Sequence, residues 1–167
     1  QNHEFLDGKY PYTINPGGPN HEELVSLIGI YEYFLNIYNH HFKNKKISML
    51  EKIVKINSLI EDHEKNIANP LLKYIDERED LKLIGKNKIT NKDRAPTISF
   101  TSKFKTSAEI SKILIDNTIA TRNDNFYAWR CLKSLGIDIN DGVVRISIVH
   151  YNSDKDINKL INALEKI

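Results

Sequence analysis

An arginine in the middle of an apolar strand is the residue of this sequence that most needs a chemical explanation. Residues 143–149 alternate so that Val144, Ile146 and Ile148 share one face while Arg145 and Ser147 share the other. A guanidinium cannot shed its proton, so a central arginine on such a strand requires an anion, water or an internal carboxylate beside it. Three arrangements satisfy it on pattern alone: a solvated sheet face, an ion pair inside the fold, or a two-pronged grip on the carboxylate of a substrate. A second candidate is the polar run Thr121-Arg122-Asn123-Asp124-Asn125-Phe126-Tyr127 between two apolar segments. Loops of that kind often carry sites, and equally often cap helices.

Other chemistry is poorly represented. The histidines stand at positions 3, 21, 40, 41, 63 and 150, and none pairs with another ligand type at metal spacing. His21-Glu22 lacks the second histidine of a zinc-protease helix, since position 25 is Val25. Neither a Gly-x-Ser-x-Gly elbow nor a glycine-rich phosphate loop is present. Cys131, the single cysteine, falls at helical spacing between Ala128 and Leu135, which predicts a buried, inert thiol. One cysteine also rules out an intrachain disulfide and fits a reducing cytosol.

These residues need elements to hold them. Asn20 followed by Glu22 and Glu23 starts a helix whose apolar positions are Leu24, Leu27, Ile28, Tyr31, Leu35 and Tyr38. A second helical pattern covers residues 48–76, with a kink or interruption expected at Asn69-Pro70. Residues 81–84 predict a strand ending at Gly85, and residues 97–101 a strand after Pro96. Thr106 and Glu109 form a capping box for a helix bearing Ile110, Ile113 and Leu114. Residues 119–122 predict a short strand, and residues 125–135 a helix stopping at Gly136. After the strand at 143–149, Ser153 and Asp156 cap a last helix with Ile157, Leu160, Ile161, Leu164 and Ile167 on one stripe. The order predicts one α+β domain, a small, mostly antiparallel sheet with helices on one face. Residues 1–19 read as an arm and turn before it.

Bulk properties limit the classes. The 167 residues are 40% hydrophobic and 28% charged, an ordinary balance for one domain with a core. A net charge of +2 gives no ground for nucleic-acid or membrane binding, and Lys43-Asn44-Lys45-Lys46 reads as a solvated loop. No stretch is long and apolar enough for a membrane span, and no signal-peptide pattern opens the chain. Gln1 is not a natural start, so the chain is expected to be trimmed at its front.

Four segments in order resemble the aminotransferase class V family, near its cysteine desulfurase-like branch. They are Pro16-Gly17-Gly18-Pro19-Asn20, Ile60-Glu61-Asp62-His63-Glu64, Arg94-Ala95-Pro96-Thr97-Ile98-Ser99-Phe100, and the run from Gly142 through Arg145 to Tyr151-Asn152-Ser153 with its final helix. The resemblance implies the C-terminal small domain of a fold-type I pyridoxal-phosphate enzyme, a transferase or lyase acting on an amino acid. It implies a homodimer in the cytoplasm, completed by an N-terminal cofactor-binding domain. Arg145 would bind the substrate carboxylate together with Asn125; Arg145, Arg122 and Tyr127 would be the catalytic residues, and Arg122 and Asn125 would border the active-site loop. Gly17 and Gly18 would offer backbone N–H groups to the cofactor phosphate of the neighbouring subunit. Gly18 stands where the family often has threonine, which removes a hydroxyl. Tyr127 stands where desulfurases carry the persulfide-forming cysteine, and a phenol cannot take up sulfur as a thiolate does. The Schiff-base lysine of the family lies farther upstream than this chain reaches, and Lys9 is too close to Gly17 to be its counterpart. The chain alone is therefore expected to bind no cofactor and to be inactive. A non-catalytic binding or dimerisation domain descended from such enzymes is the alternative.

Overall fold

The computed structural model describes residues 17–43, 46–90 and 93–167. The arm at 1–16, including Pro16 and Lys9, and the middle of the Lys43–Lys46 cluster lie outside the described residues. The chain divides into two compact units, residues 1–57 and residues 58–167.

In the first unit, α1 (His21–His41) begins where the sequence places it. The Asn20 side chain accepts the Glu23 N–H at 3.1 Å, and Glu22 and Glu23 lie at the positive end of the helix dipole. Tyr38 is fully buried, stacks on Phe42 with ring centroids 4.9 Å apart, and carries Lys52 over its face. The rest of the apolar pattern is not covered: Leu27 is 54% exposed and Ile28 56%, with Leu24, Val25, Ile30 and Tyr31 similar. Next comes α2 (Met49–Asp76), opened by Ser48, whose backbone N–H and hydroxyl both reach the Glu51 carboxylate.

Of the kink or interruption expected at Pro70, the interruption does not occur; α2 runs through it. A proline inside a helix forfeits a backbone hydrogen bond and crowds the preceding turn, costing about 3 kcal/mol or more. Packing offsets this here. Leu71, Leu72 and Ile75 are completely buried, and the Asn69 amide exchanges two hydrogen bonds with the backbone of Ile89, at 2.8 and 3.2 Å.

The second unit is built on one antiparallel sheet. Its strands are β1 (Leu81–Ile84), β2 (Thr97–Ser102), β3 (Arg122–Asp124) and β4 (Val143–Ser147), in the spatial order β1-β2-β4-β3. Between them lie α3 (Ser107–Asp116) and α4 (Trp129–Ser134), and α5 (Asp154–Leu164) follows β4. Ile98, Phe100, Val144 and Ile146 point into a core shared with Leu71, Ile75, Ile110, Leu114, Ile157 and Leu160, so α2, α3 and α5 cover one sheet face. This is the α+β arrangement expected from the sequence, a two-layer structure whose strands alternate between core and outer face.

Three elements shift, and β4 ends at Ser147 rather than at residue 149. The strand expected at 119–122 is instead Arg122–Asp124. Thr118 takes a left-handed conformation, φ 59°, and the Ile119 N–H turns back to the Leu114 carbonyl at 2.9 Å, so these residues finish α3 rather than pair in the sheet. The helix expected at 125–135 is only Trp129–Ser134. Asn125 diverts the chain: its side-chain oxygen accepts the Tyr127 N–H at 3.0 Å and its amide donates to the Ile139 carbonyl at 3.1 Å. Such local side-chain bonds compete with helix formation.

Candidate functional site

The outer face of the sheet carries the polar half of each strand's alternation. In register, Arg145 on β4 lies between Ser99 on β2 and Arg122 on β3. Two arginines directly opposed on neighbouring strands repel one another, because side chains so paired are roughly 5 Å apart at Cβ. Among the described residues no carboxylate forms an ion pair with either arginine. Of the three arrangements open to Arg145 on pattern alone, the internal ion pair is thus not the one adopted among the described residues.

The side chain of Arg145 is half-buried, and its Nε has neither solvent nor a hydrogen-bond partner. Its guanidinium carbon sits 4.2 Å from the ring centroid of Phe126. A cation over an aromatic face is worth about 0.5–2 kcal/mol. Concentrated positive charge and an orphaned donor together suit a carboxylate or another planar oxyanion.

The turn after β3 places Phe126. Phe126 and Tyr127 have φ of 50° and 59°, a left-handed region that non-glycine residues enter only at a cost of about 1 kcal/mol or more each. Asn125 holds both there through the bonds to Tyr127 and Ile139. The close approach of Gly142 to β3 supports the same turn: its φ is 73°, and a Cβ there would lie 2.2 Å from the carbonyl carbon of Asp124. Glycine is required at that position for both reasons.

The predicted site residues do not all converge. Arg145 and Arg122 pair in register between β4 and β3, whereas Asn125 follows the end of β3 and spends its side chain on Tyr127 and Ile139. Tyr127 stands fully exposed, at 100%. Cys131 is exposed on α4, contrary to the buried thiol expected, because the shortened helix turns that side outward and buries Leu132 instead. Gly17 and Gly18 belong to the other unit; a Cβ on either would meet nothing within 4 Å, so the chain's own packing does not require glycine there. Phe126 and Ser99 escaped sequence reasoning. The alternation of β2 was a signal for Ser99, whereas nothing in the residue types announces a left-handed Phe126.

Two of the sequence segments also meet. His63 Nε2 is 2.8 Å from the Asn152 carbonyl oxygen, and the Asn152 side chain accepts the Val149 N–H at 2.9 Å, closing the turn that leads from β4 to α5. Burial pushes the neighbouring Glu64 carboxyl above its usual range, against the opposing pull of His150 and His63.

The family model of aminotransferase class-V matches residues 35–160. An aminotransferase-like protein of Gibberella zeae, FGM3, is 31% identical over 110 residues, covering 65% of this chain and 27% of that protein. A probable cysteine desulfurase of Pseudomonas putida is 27% identical over 104 residues, covering 62% and 24%. Among solved structures, the cysteine desulfurase CsdA of Escherichia coli superposes with a TM-score of 0.67 at 19% identity, over 93% of this chain and 32% of that one. Apo cysteine desulfurase of Thermococcus onnurineus gives 0.57 at 27% identity, over 69% and 28%. The chain thus spans about a quarter of the length of the curated relatives it matches. Matched along residues 35–160 and built on the same small α+β sheet, the chain belongs to the aminotransferase class-V family.

Proposed function

We propose that this chain is the C-terminal part of a pyridoxal-phosphate-dependent transferase or lyase acting on an amino acid, and that Arg145 binds the carboxylate of that substrate. The observation that carries the reading is the buried Nε of Arg145, without a partner among the described residues, on a guanidinium beside the Phe126 ring and opposite Arg122. When bound, the cofactor supplies an electron sink for charge developing next to the amino acid's nitrogen. This chain's share is to bind and orient. Arg145 grips the carboxylate with two parallel N–H donors, which fixes the rotation of the substrate as well as its position. Arg122 adds positive potential at the same edge, and Asn125 holds the turn that sets Phe126. Gly17 and Gly18, free of close neighbours among the described residues, offer backbone N–H groups to the cofactor phosphate of a neighbouring subunit. The lysine that would hold the cofactor belongs to an N-terminal domain of the same cytoplasmic, homodimeric protein. Sulfur transfer is disfavoured, because a tyrosine occupies the loop position of the sulfur-accepting cysteine.

A second reading, a non-catalytic dimerisation domain, draws on the exposed apolar surface of α1, which suits association whether or not chemistry follows. The two are separated in the full-length protein by Arg145→Lys. A point charge replaces a two-pronged donor, so amino-acid binding should weaken on the order of tenfold or more while cofactor affinity stays within about twofold. Both are read by titration of the cofactor's absorbance. Equal loss of both would make Arg145 structural and favour the second reading.

A further inference from the structure

Arg122 and Arg145 pose a charge problem that a single carboxylate does not solve. They are directly opposed in register between β3 and β4, so their side chains share one face of the sheet. Val144 and Ile146, on either side of Arg145, fill the core face, which leaves both arginines on the outer one. The neighbours of Arg122 fix it there. The Thr121 hydroxyl lies 3.5 Å from that of Ser111, and the Asn123 amide donates to the Ser107 hydroxyl at 3.3 Å. Both bonds run toward α3, so the residue between them faces away from it. The one acid on β3, Asp124, accepts the Asn125 N–H through Oδ1 at 2.6 Å, and no ion pair joins it to either arginine among the described residues. Arg122 itself is exposed and has no hydrogen bond, ion pair or ring contact among the described residues. Like charges directly opposed across strands are destabilising, and nothing in the packing of this chain asks for an arginine at that position.

We infer, on the reading that Arg145 holds the substrate's α-carboxylate, that the substrate is a short dicarboxylic amino acid whose side-chain carboxylate is held by Arg122. A fork-to-fork grip takes both oxygens of one carboxylate, so once Arg145 is satisfied Arg122 still faces a like charge with no anion of its own. A neutral substrate side chain leaves that guanidinium uncompensated, whereas a second carboxylate meets both its charge and its fork. The spacing of opposed side chains on neighbouring strands is of the same order as that between the two carboxylates of aspartate or glutamate. The two arginines thus act as a pair that reads two negative charges, one common to all amino acids and one that selects among them.

The test titrates L-aspartate and L-glutamate, with their neutral isosteres L-asparagine and L-glutamine, into the full-length, cofactor-loaded protein and reads the cofactor's absorbance. At least one acid is expected to bind about tenfold or more tightly than its amide. Arg122→Gln is expected to reduce that preference to about twofold or less. Arg122→Lys, which keeps the charge and loses the fork, is expected to fall in between, and gives a reading even if the glutamine variant fails to fold. Arg145→Lys is expected to weaken acid and amide alike and to keep the preference. Equal binding of acid and amide by the wild-type protein, or no binding of either acid, overturns the dicarboxylate class. A preference that survives both Arg122 substitutions overturns it too, because the second carboxylate would then be read by other residues. The assignment of Arg145 fails by a different result, amides bound as tightly by the Arg145→Lys protein as by the wild type. Acid and amide bound equally, and both weakened by Arg145→Lys, would remove the role of Arg122 and leave that of Arg145 standing.

Discussion

Arg145 and Phe126 act as one unit at the residue scale. The ring supplies a flat, negatively polarised surface, and the guanidinium carbon lies 4.2 Å from its centroid. The strain stored at Phe126 and Tyr127 has a use on this view, since a left-handed turn is what turns the Phe126 ring under the arginine. Removing the ring's quadrupole while keeping its bulk separates positioning from packing. In the full-length protein Phe126→Leu should weaken amino-acid binding several-fold, about 0.5–1.5 kcal/mol, with cofactor affinity and melting temperature little changed. Phe126→Tyr should restore it. Binding unaffected by Phe126→Leu would mean that the stack is packing alone.

At the scale of elements, the sequence determined most of what the site stands on. Alternation assigned Arg145 to the outer face of β4, and the cap signals at Asn20, Thr106 and Ser153 each open a helix at the expected residue. Thr106 and Glu109 exchange the reciprocal bonds of a capping box, and Asp156 accepts both the backbone N–H and the hydroxyl of Ser153. What escaped the sequence was tertiary or local competition. Packing at Leu71 and Leu72 carried α2 through Pro70, and the Asn125 side chain replaced the first turn of the expected helix with a left-handed turn. The caps also have a pH signature. Asp156 and Glu109 are held below the usual carboxylate range by the N–H and hydroxyl groups they accept from. A depressed folded-state pKa contributes stability that is present above the unfolded value and is lost as pH falls through the folded one. Asp156→Asn should therefore lower stability at neutral pH and flatten the loss of stability below about pH 4, read by denaturant unfolding at several pH values. An acid limb unchanged in slope would show that the cap carboxylate contributes nothing.

Over the whole molecule, the two units differ in how well they bury their apolar residues. Residues 58–167 hold one continuous core, whereas α1 leaves Leu24, Leu27, Ile28 and Tyr31 exposed. An apolar surface of this extent marks an interface, and the family's other domain or a second subunit is the cover that fits the proposed function. Produced alone, the chain should self-associate through α1, and Leu27→Glu with Ile28→Lys should return it to a monomer by light scattering. A wild-type chain that is monomeric at high concentration would contradict this role for α1.

The central claim is that a substrate carboxylate meets the Arg145 fork. A crystal structure of the full-length protein with its cofactor and a bound amino acid measures this directly. Two parallel N–H···O contacts of about 2.7–2.9 Å from Arg145 to the carboxylate, with Phe126 still against the guanidinium, are the expected result. A carboxylate held by other groups, with Arg145 paired to an acidic side chain of the remaining protein, would contradict the account.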